Sequence, residues 1–332
     1  MPQTHNETDG KCFVVSPRYQ VAFVDADAVF LVDERGYIAL QGTGVVAVLR
    51  CLQRAPCTVE TVARQVADML PADEACAIMA RLLGDGHVIE HHDDIESQEI
   101  AYWHYGGVDP RQAADRLRQA RVALRAFGPI DGTSLAHHLC RMNIEVISPA
   151  LLHQMQVDLA LICTDDYLRA EVQAFNREAW AARQPWMLVK PVGATIWLGP
   201  LIAPDRTACA ACLAAQLLEN RRAEVFLRQT QGRTTPLITS IAGLPGTGDL
   251  ALNLAALEII QGLAREGHDR LENTFLTFDL TALNLEKHHV RRLPRCPVCG
   301  PPAAGTSRPS VAHEDRHPRR RPPHPDAGSR VR

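Results

Sequence analysis

The sequence of 332 residues holds no apolar run near the roughly 18–20 residues that a membrane-spanning helix needs, so a helical span is excluded. It opens Met1-Pro2-Gln3-Thr4-His5-Asn6-Glu7, with no basic stretch leading into an apolar core and a cleavage site. A secretory signal is therefore not expected, and the cytoplasm is the expected location. Net charge is also scarce: a formal −3 supplies no overall field that favours nucleic acid or anionic lipid. Gly-x-Ser-x-Gly, His-Glu-x-x-His and the P-loop are all missing, which leaves the common hydrolases, zinc proteases and nucleotide hydrolases without support. What is present is the composition of a folded protein large enough for two domains, 46% hydrophobic and 22% charged. Ten cysteines in a chain of cytosolic character point to metal ligands or buried thiols, not to a disulfide framework.

Patterning divides the chain. Residues 21–25 and 28–33 are β-branched apolar runs, Arg35-Gly36 is a turn signal, and residues 37–41 read as a further strand. Three helical stretches follow. The first runs from Thr43 to Arg54. The second opens at the N-cap candidate Thr58 with Val59, Val62, Val66 and Met69 on one face. The third opens at Pro71 and closes at Gly84 and Gly86. With Val88-Ile89 as a last short strand, residues 1–95 have the pattern of a winged-helix-like α+β module. Residues 96–120, after the polar stretch from Asp93 to Gln98, read as a linker. From Arg121 strands alternate with helices: strands at 121–127, 144–147, 157–163 and 186–189, helices at 133–141 and 168–183. That alternation predicts a largely parallel sheet and an α/β domain over 121–300. Residues 301–332 carry seven prolines and a basic run with little to bury, so they are expected to form a disordered tail.

The strongest chemical signal is a pair of knuckles, Cys209-Ala-Ala-Cys212 and Cys296-Pro-Val-Cys299 followed by Gly300. Two residues between thiolates let both sulfurs reach one tetrahedral ion, and zinc prefers a shell of four. Four thiolates leave no open position, so the expected metal is structural. The alternative is four unrelated buried thiols. A second signal is the turn Gly128-Pro-Ile-Asp-Gly132 between a strand and a helix, the place of a phosphate-binding loop. It has two glycines where the nucleotide fingerprint has three, and Pro129 offers no amide. A third is Thr164-Asp165-Asp166 at the end of the apolar run, where carboxylates hold magnesium in some sites and cap a helix in others. Lys190 and Arg169 are possible anion contacts nearby. The adjacent pairs His91-His92 and His137-His138 read as surface or packing residues.

Taken in order, these features make the second domain resemble the ThiF/MoeB-type activating-enzyme fold, a Rossmann-type domain with a structural zinc. The resemblance runs over about residues 120–300, through the turn at Gly128–Gly132, Cys163-Thr-Asp-Asp166, Pro191-Val-Gly-Ala194, Gly199-Pro-Leu-Ile-Ala-Pro204, Ala255-Ala-Leu-Glu258 and both knuckles. Members of that fold adenylate a carboxyl terminus with ATP. The resemblance places Gly128 and Gly132 at the nucleotide loop and Asp165 or Asp166 at a metal-binding aspartate, and it assigns Cys209, Cys212, Cys296 and Cys299 to zinc. The two domains together look like the leader-peptide-binding partner proteins of azoline-forming cyclodehydratases, which act in thiazole/oxazole-modified microcin (TOMM) biosynthesis. There a recognition element similar to the small chaperone PqqD precedes a ThiF-like domain without nucleotide chemistry. A YcaO-type protein, separate or fused, performs the ATP-dependent cyclisation.

By that resemblance this chain is an accessory subunit and not an enzyme on its own, with no ATP or magnesium and no catalytic residue. The leader of a ribosomally made precursor would add as a strand along Tyr37, Ile38, Ala39 and Leu40 and pack against Ile78 and Leu82. A homodimer through the α/β domain is a further expectation. The competing readings are an ATP-dependent adenylating enzyme and, for the first module, a DNA-binding winged helix. The helix from Asp73 to Arg81 carries one arginine and two acids, which is poor for a phosphate-facing element.

Overall fold

In a computed structural model the described residues are 10–148, 155–232, 236–244, 246–265, 267 and 269–301. The expected tail from residue 302 onward lies outside them. In the N-terminal module, strands β1 (Phe13–Val15) and β5 (Val88–Glu90) form one antiparallel pair. Strands β2 (Gln20–Phe23), β3 (Ala28–Asp33) and β4 (Gly36–Gln41) form a meander in that order. Alternation sets the inner face: Val29 and Leu31 of β3 are fully buried and pair with Leu40 and Ile38 of β4. Helices α1 (Thr43–Arg54), α2 (Val59–Gln65) and α3 (Ala72–Gly84) cover this face through Val48, Leu49, Leu52, Val62, Met79 and Leu82. Thr58 caps α2, its hydroxyl accepting from the Thr61 amide at 3.2 Å. That helix stops at Gln65, sooner than its apolar period implies, so Met69 leaves the shared face and is 66% exposed.

Residues 96–120 are not a linker. They form α4 (Ser97–Tyr105) and α5 (Pro110–Gln119). Their polar composition belongs to the outer faces, while Ile100 and Trp103 of α4 and Ala113, Ala114 and Leu117 of α5 are buried. The start of α5 was visible in the text: Asp109 accepts from the Gln112 amide at 2.8 Å, and Pro110 stands at the first helical position.

Helix α4 also joins the modules. Its His104 accepts or donates at 2.6 Å to Ser16, and His87 lies 3.4 Å from the Tyr19 hydroxyl. Burial pushes both imidazoles below their ordinary value, and the Arg18 guanidinium adds to this. Both rings therefore take up a proton at a lower pH in the native state than in the unfolded chain, where protonation sets in near about pH 6.5. Stability from this junction is therefore full above that pH and lost as pH falls below it. Thermal midpoints measured from pH 7.5 down to 5.5 should decline, and His104→Gln should flatten the slope. A slope unchanged in that variant would refute the assignment.

The second domain is one seven-stranded sheet in the order β12-β11-β10-β9-β8-β6-β7. Strands β6 (Arg121–Phe127), β7 (Glu145–Ile147), β8 (Leu159–Thr164) and β9 (Trp186–Lys190) are parallel. Strands β10 (Thr195–Ile202), β11 (Thr274–Asp279) and β12 (Asn284–His289) continue antiparallel. Both faces of β8 are covered. Ala160 and Ile162 face α7 (Ala170–Ala181) and α8 (Ala210–Asn220), while Leu159, Leu161 and Cys163 face α5, α6 (Thr133–Arg141) and α10 (Thr247–Ala264). A short helix, α9 (Arg222–Thr230), follows α8. From β6 the chain passes through α6 to β7 on one side, then returns to β8 on the other. The sheet's switch point thus opens a crevice at the carboxyl ends of β6 and β8.

Candidate functional site

Three places answer the expectations of the sequence. In the first, Cys209 stands at the start of α8 with Cys212 one turn on, and the chain after β12 brings Cys296 and Cys299 over them. The four sulfurs are buried and lie within 4.8 Å of one another, with Cys209–Cys296 and Cys212–Cys299 each at 3.4 Å. A tetrahedral thiolate shell with bonds of about 2.3 Å puts sulfurs about 3.8 Å apart, so the cluster has the size of such a shell. The Leu293 amide points at Cys212 Sγ at 3.3 Å. Burial opposes ionisation of Cys296, yet the amides of Cys299 and Val298 together with the Cys209 and Cys212 thiols outweigh it and hold its thiol down at about 7. Gly300 completes the knuckle: its amide donates to the Cys296 carbonyl at 3.0 Å, and a Cβ there would lie 2.5 Å from that oxygen. Arg292, which the sequence did not single out, donates to the Cys299 carbonyl at 3.1 Å.

The second place is the crevice. Gly128 leaves β6 at φ +92, and a Cβ on it would meet the Asp165 carboxylate at 2.7 Å and Arg169 at 2.9 Å. Gly132 opens α6 tight against Leu124, and Asp131 between them accepts from the Thr133 amide at 2.9 Å. Both oxygens of Asp165 accept from Arg169. Asp166 accepts from the Leu168 amide and from Arg221, each at 2.7 Å. The helix-cap reading of these residues is corrected: α7 begins at Ala170, and Asp166 closes a tight turn ahead of it. Lys190 lies behind, donating to the carbonyls of Val192 and Thr195 and to Ser240 Oγ at 2.8–3.0 Å. Burial pushes its ammonium down to about 8. Sequence reasoning named Arg169 and Lys190 but missed Arg221, which lies 55 positions from its aspartate with no local signal.

The third place is the border of the small sheet. Among the described residues β4 pairs with β3 alone, so its other side is open. The two-residue turn makes Asp33 and Gly36 the closing hydrogen-bonded pair; by alternation Tyr37, Ala39 and Gln41 present amide and carbonyl to the open side. Tyr37 is 70% exposed, Ala39 is exposed, and Ile38 and Leu40 are half-buried toward the core. Ile78 sits at the seam with α1, its Cδ1 only 2.9 Å from where Gly44 would carry a Cβ. Leu82 is placed differently from expectation. It shares the inward row with Ala75 and Met79 and is 3% exposed, so it belongs to the core and not to a binding surface.

Comparison with solved structures bears on the fold that carries these three places. A heterocyclase in complex with substrate and cofactor superposes with a TM-score of 0.78 at 30% identity, over 87% of this chain and 40% of that one. The heterocyclase TruD gives 0.76 at 31%, over 87% and 43%. Both likenesses are consistent with a TOMM-related, ThiF-like protein. MccB from E. coli, solved with succinimide, matches at 0.59 and 14% identity over 87% of this chain and 100% of its own, a likeness of fold alone. The chain spans about two fifths of the length of the heterocyclases it matches. No family model and no curated protein matches it.

Proposed function

We propose that this protein binds the leader of a ribosomally made precursor and presents the attached core to a YcaO-type cyclodehydratase that forms azoline rings. The observation that carries this reading is the open border of β4. A leader that adds there gains main-chain hydrogen bonds at Tyr37, Ala39 and Gln41, and the seam at Ile78 offers an apolar contact for side-chain choice. A tethered core then experiences an effective concentration in the mM range at the partner's site, so positioning alone aids cyclisation. The N-terminal module plays the part of a PqqD-like recognition element in this scheme.

Two features of the larger domain support a scaffold that does not turn over nucleotide. Each carboxylate oxygen of Asp165 and Asp166 accepts from a guanidinium or amide group, and Arg169 and Arg221 neutralise the two charges, so magnesium would have to compete with both arginines. The space against Gly128, where phosphates would approach the backbone, holds a carboxylate and its arginine. The four cysteines have the donor chemistry and spacing for a structural zinc, held by Cys209, Cys212, Cys296 and Cys299. Such an ion would fasten the end of the domain to α8.

The sheet-border reading is tested by Ala39→Pro. Proline removes one outward amide and leaves the β3–β4 ladder intact, since Ala39 does not donate to β3. With a fluorescein-labelled leader of the cognate precursor, polarisation should show affinity lowered at least about tenfold, the loss of one to two main-chain hydrogen bonds, with the melting temperature of the variant near that of the parent. Undiminished binding by a folded Ala39→Pro protein would overturn strand addition.

A further inference from the structure

Where the two domains meet, a cleft of 680 Å³ is lined by Arg18, Arg35, Tyr105 and Arg265, among others. Among the described residues three buried side-chain atoms of this cleft lack a hydrogen-bond partner: Arg18 Nε, Tyr105 OH and Arg265 Nε. Buried donors without acceptors are costly, and native structures hold few, so their convergence in one place marks where an acceptor arrives from outside. The cations also outnumber the acids, since Arg18, Arg35, Arg265 and Arg270 line the cleft with Glu34 as the one carboxylate among its lining residues. Arg265 donates to the Gly106 carbonyl at 3.5 Å, the Arg35 guanidinium lies over the Tyr105 ring at 4.1 Å, and Arg18, which donates to the Tyr19 hydroxyl, has its Nε 4.0 Å from Asp33. Arg270, at the rim, is already held by Glu258. Guanidinium forks and a phenol are a donor set for a carboxylate, which accepts two parallel N–H bonds.

Position says whose carboxylate it is. Glu34 and Arg35 line the cleft, and they form the turn from which β4 departs at Gly36. A strand paired with the open side of β4 would end, on the Gly36 side, beside this turn and so next to the cleft. We infer that this cleft takes a glutamate or aspartate side chain of the bound peptide, adjacent to the segment that pairs with β4. The inference deepens the leader-binding reading and rests on it for the source of the carboxylate. It divides recognition into a main-chain part along β4 and a charged part between the domains, with the peptide bridging the recognition module and the ThiF-like domain.

The test uses the full chain and two labelled probes, acetyl-Glu-Glu-Glu-Glu-amide and its all-glutamine counterpart, read by fluorescence polarisation. The glutamate probe should bind about tenfold tighter, the effect of one charge-assisted hydrogen-bond pair. Arg265→Gln and Tyr105→Phe should each bring the two probes toward parity, while Arg64→Gln on the exposed side of α2 should leave the preference intact. Equal binding of both probes by the parent protein would overturn the inference, as would a preference that survives Arg265→Gln combined with Arg35→Gln. Displacement of the glutamate probe by inorganic phosphate but not by acetate would also overturn it, since the site would then select a phosphate. The preference should persist in Ala39→Pro, because so short a probe needs no strand. Loss of leader binding in that variant with no glutamate preference in the parent would sink the cleft alone. The reverse pattern would sink strand addition alone.

Discussion

Cys209→Ser is expected to abolish the cooperative thermal transition of the α/β domain. If zinc fills the cluster, its binding free energy in small thiolate sites is about 10–16 kcal/mol, as large as the whole stability of an ordinary domain at about 5–15 kcal/mol. The geometry explains why the effect should be global and not local. The ion would tie the chain after β12 to the first turn of α8, and α8 packs through Leu213 and Leu217 onto the same sheet face as α7. Loosening that tie exposes one whole side of the sheet. Circular dichroism with elemental analysis should show one zinc per chain in the parent and none in Cys209→Ser or Cys296→Ser. Cys76→Ser, at an exposed thiol on α3, should behave as the parent. A parent protein that keeps its full melting temperature in strong chelator would refute a structural metal here.

The second large effect is expected at Asp166→Ala. Asp166 and Arg221 are paired at 2.7 Å with side chains 11% and 14% exposed, and Arg221 also faces the Trp197 ring beside Lys190. Removing the carboxylate leaves Arg221 with only the more distant Glu224, at 3.7 Å, so the loss should approach the lower end of the roughly 3–5 kcal/mol seen for broken buried pairs. Urea unfolding should show that loss as a lower midpoint at unchanged slope. The more conservative Asp166→Asn keeps the Leu168 turn and should lose less. In a scaffold, neither variant alters leader binding, because the crevice and the β4 border are separate places on the molecule. An ATP–pyrophosphate exchange by the parent that depends on Asp165 or Asp166 would replace this reading with that of an adenylating enzyme.

Several elements were open to sequence reasoning because their cause is local. Strand β8 is a run with no polar residue before Thr164, and a run of that length with both faces covered reads as a parallel core strand. Thr58 declares the start of α2 through its own hydroxyl. The cysteine knuckles state their chemistry through spacing alone. The misreadings have physical reasons as well. Helix α5 is amphipathic with a broad polar face, so composition reports the majority of its residues and not its buried row, while α4 is short and follows directly on the polar stretch from Asp93. Leu82 was placed on the peptide surface because residues 78–83 are apolar on more than one side; only the packing of α3 on α1 and β3 decides which side is the core.

The residues thus determined on their own the alternation that makes an α/β sheet and the four thiolates that belong together, since each follows from period, propensity or ligand spacing along the chain. Tertiary structure alone decided that both aspartates of the crevice are spent on arginines, one of them 55 residues away, and that β4 has an open side. It also decided that arginines from Arg18 to Arg265 converge between the domains. Partners of that kind are brought together by packing and by strand order, and neither leaves a trace in the local pattern of side chains.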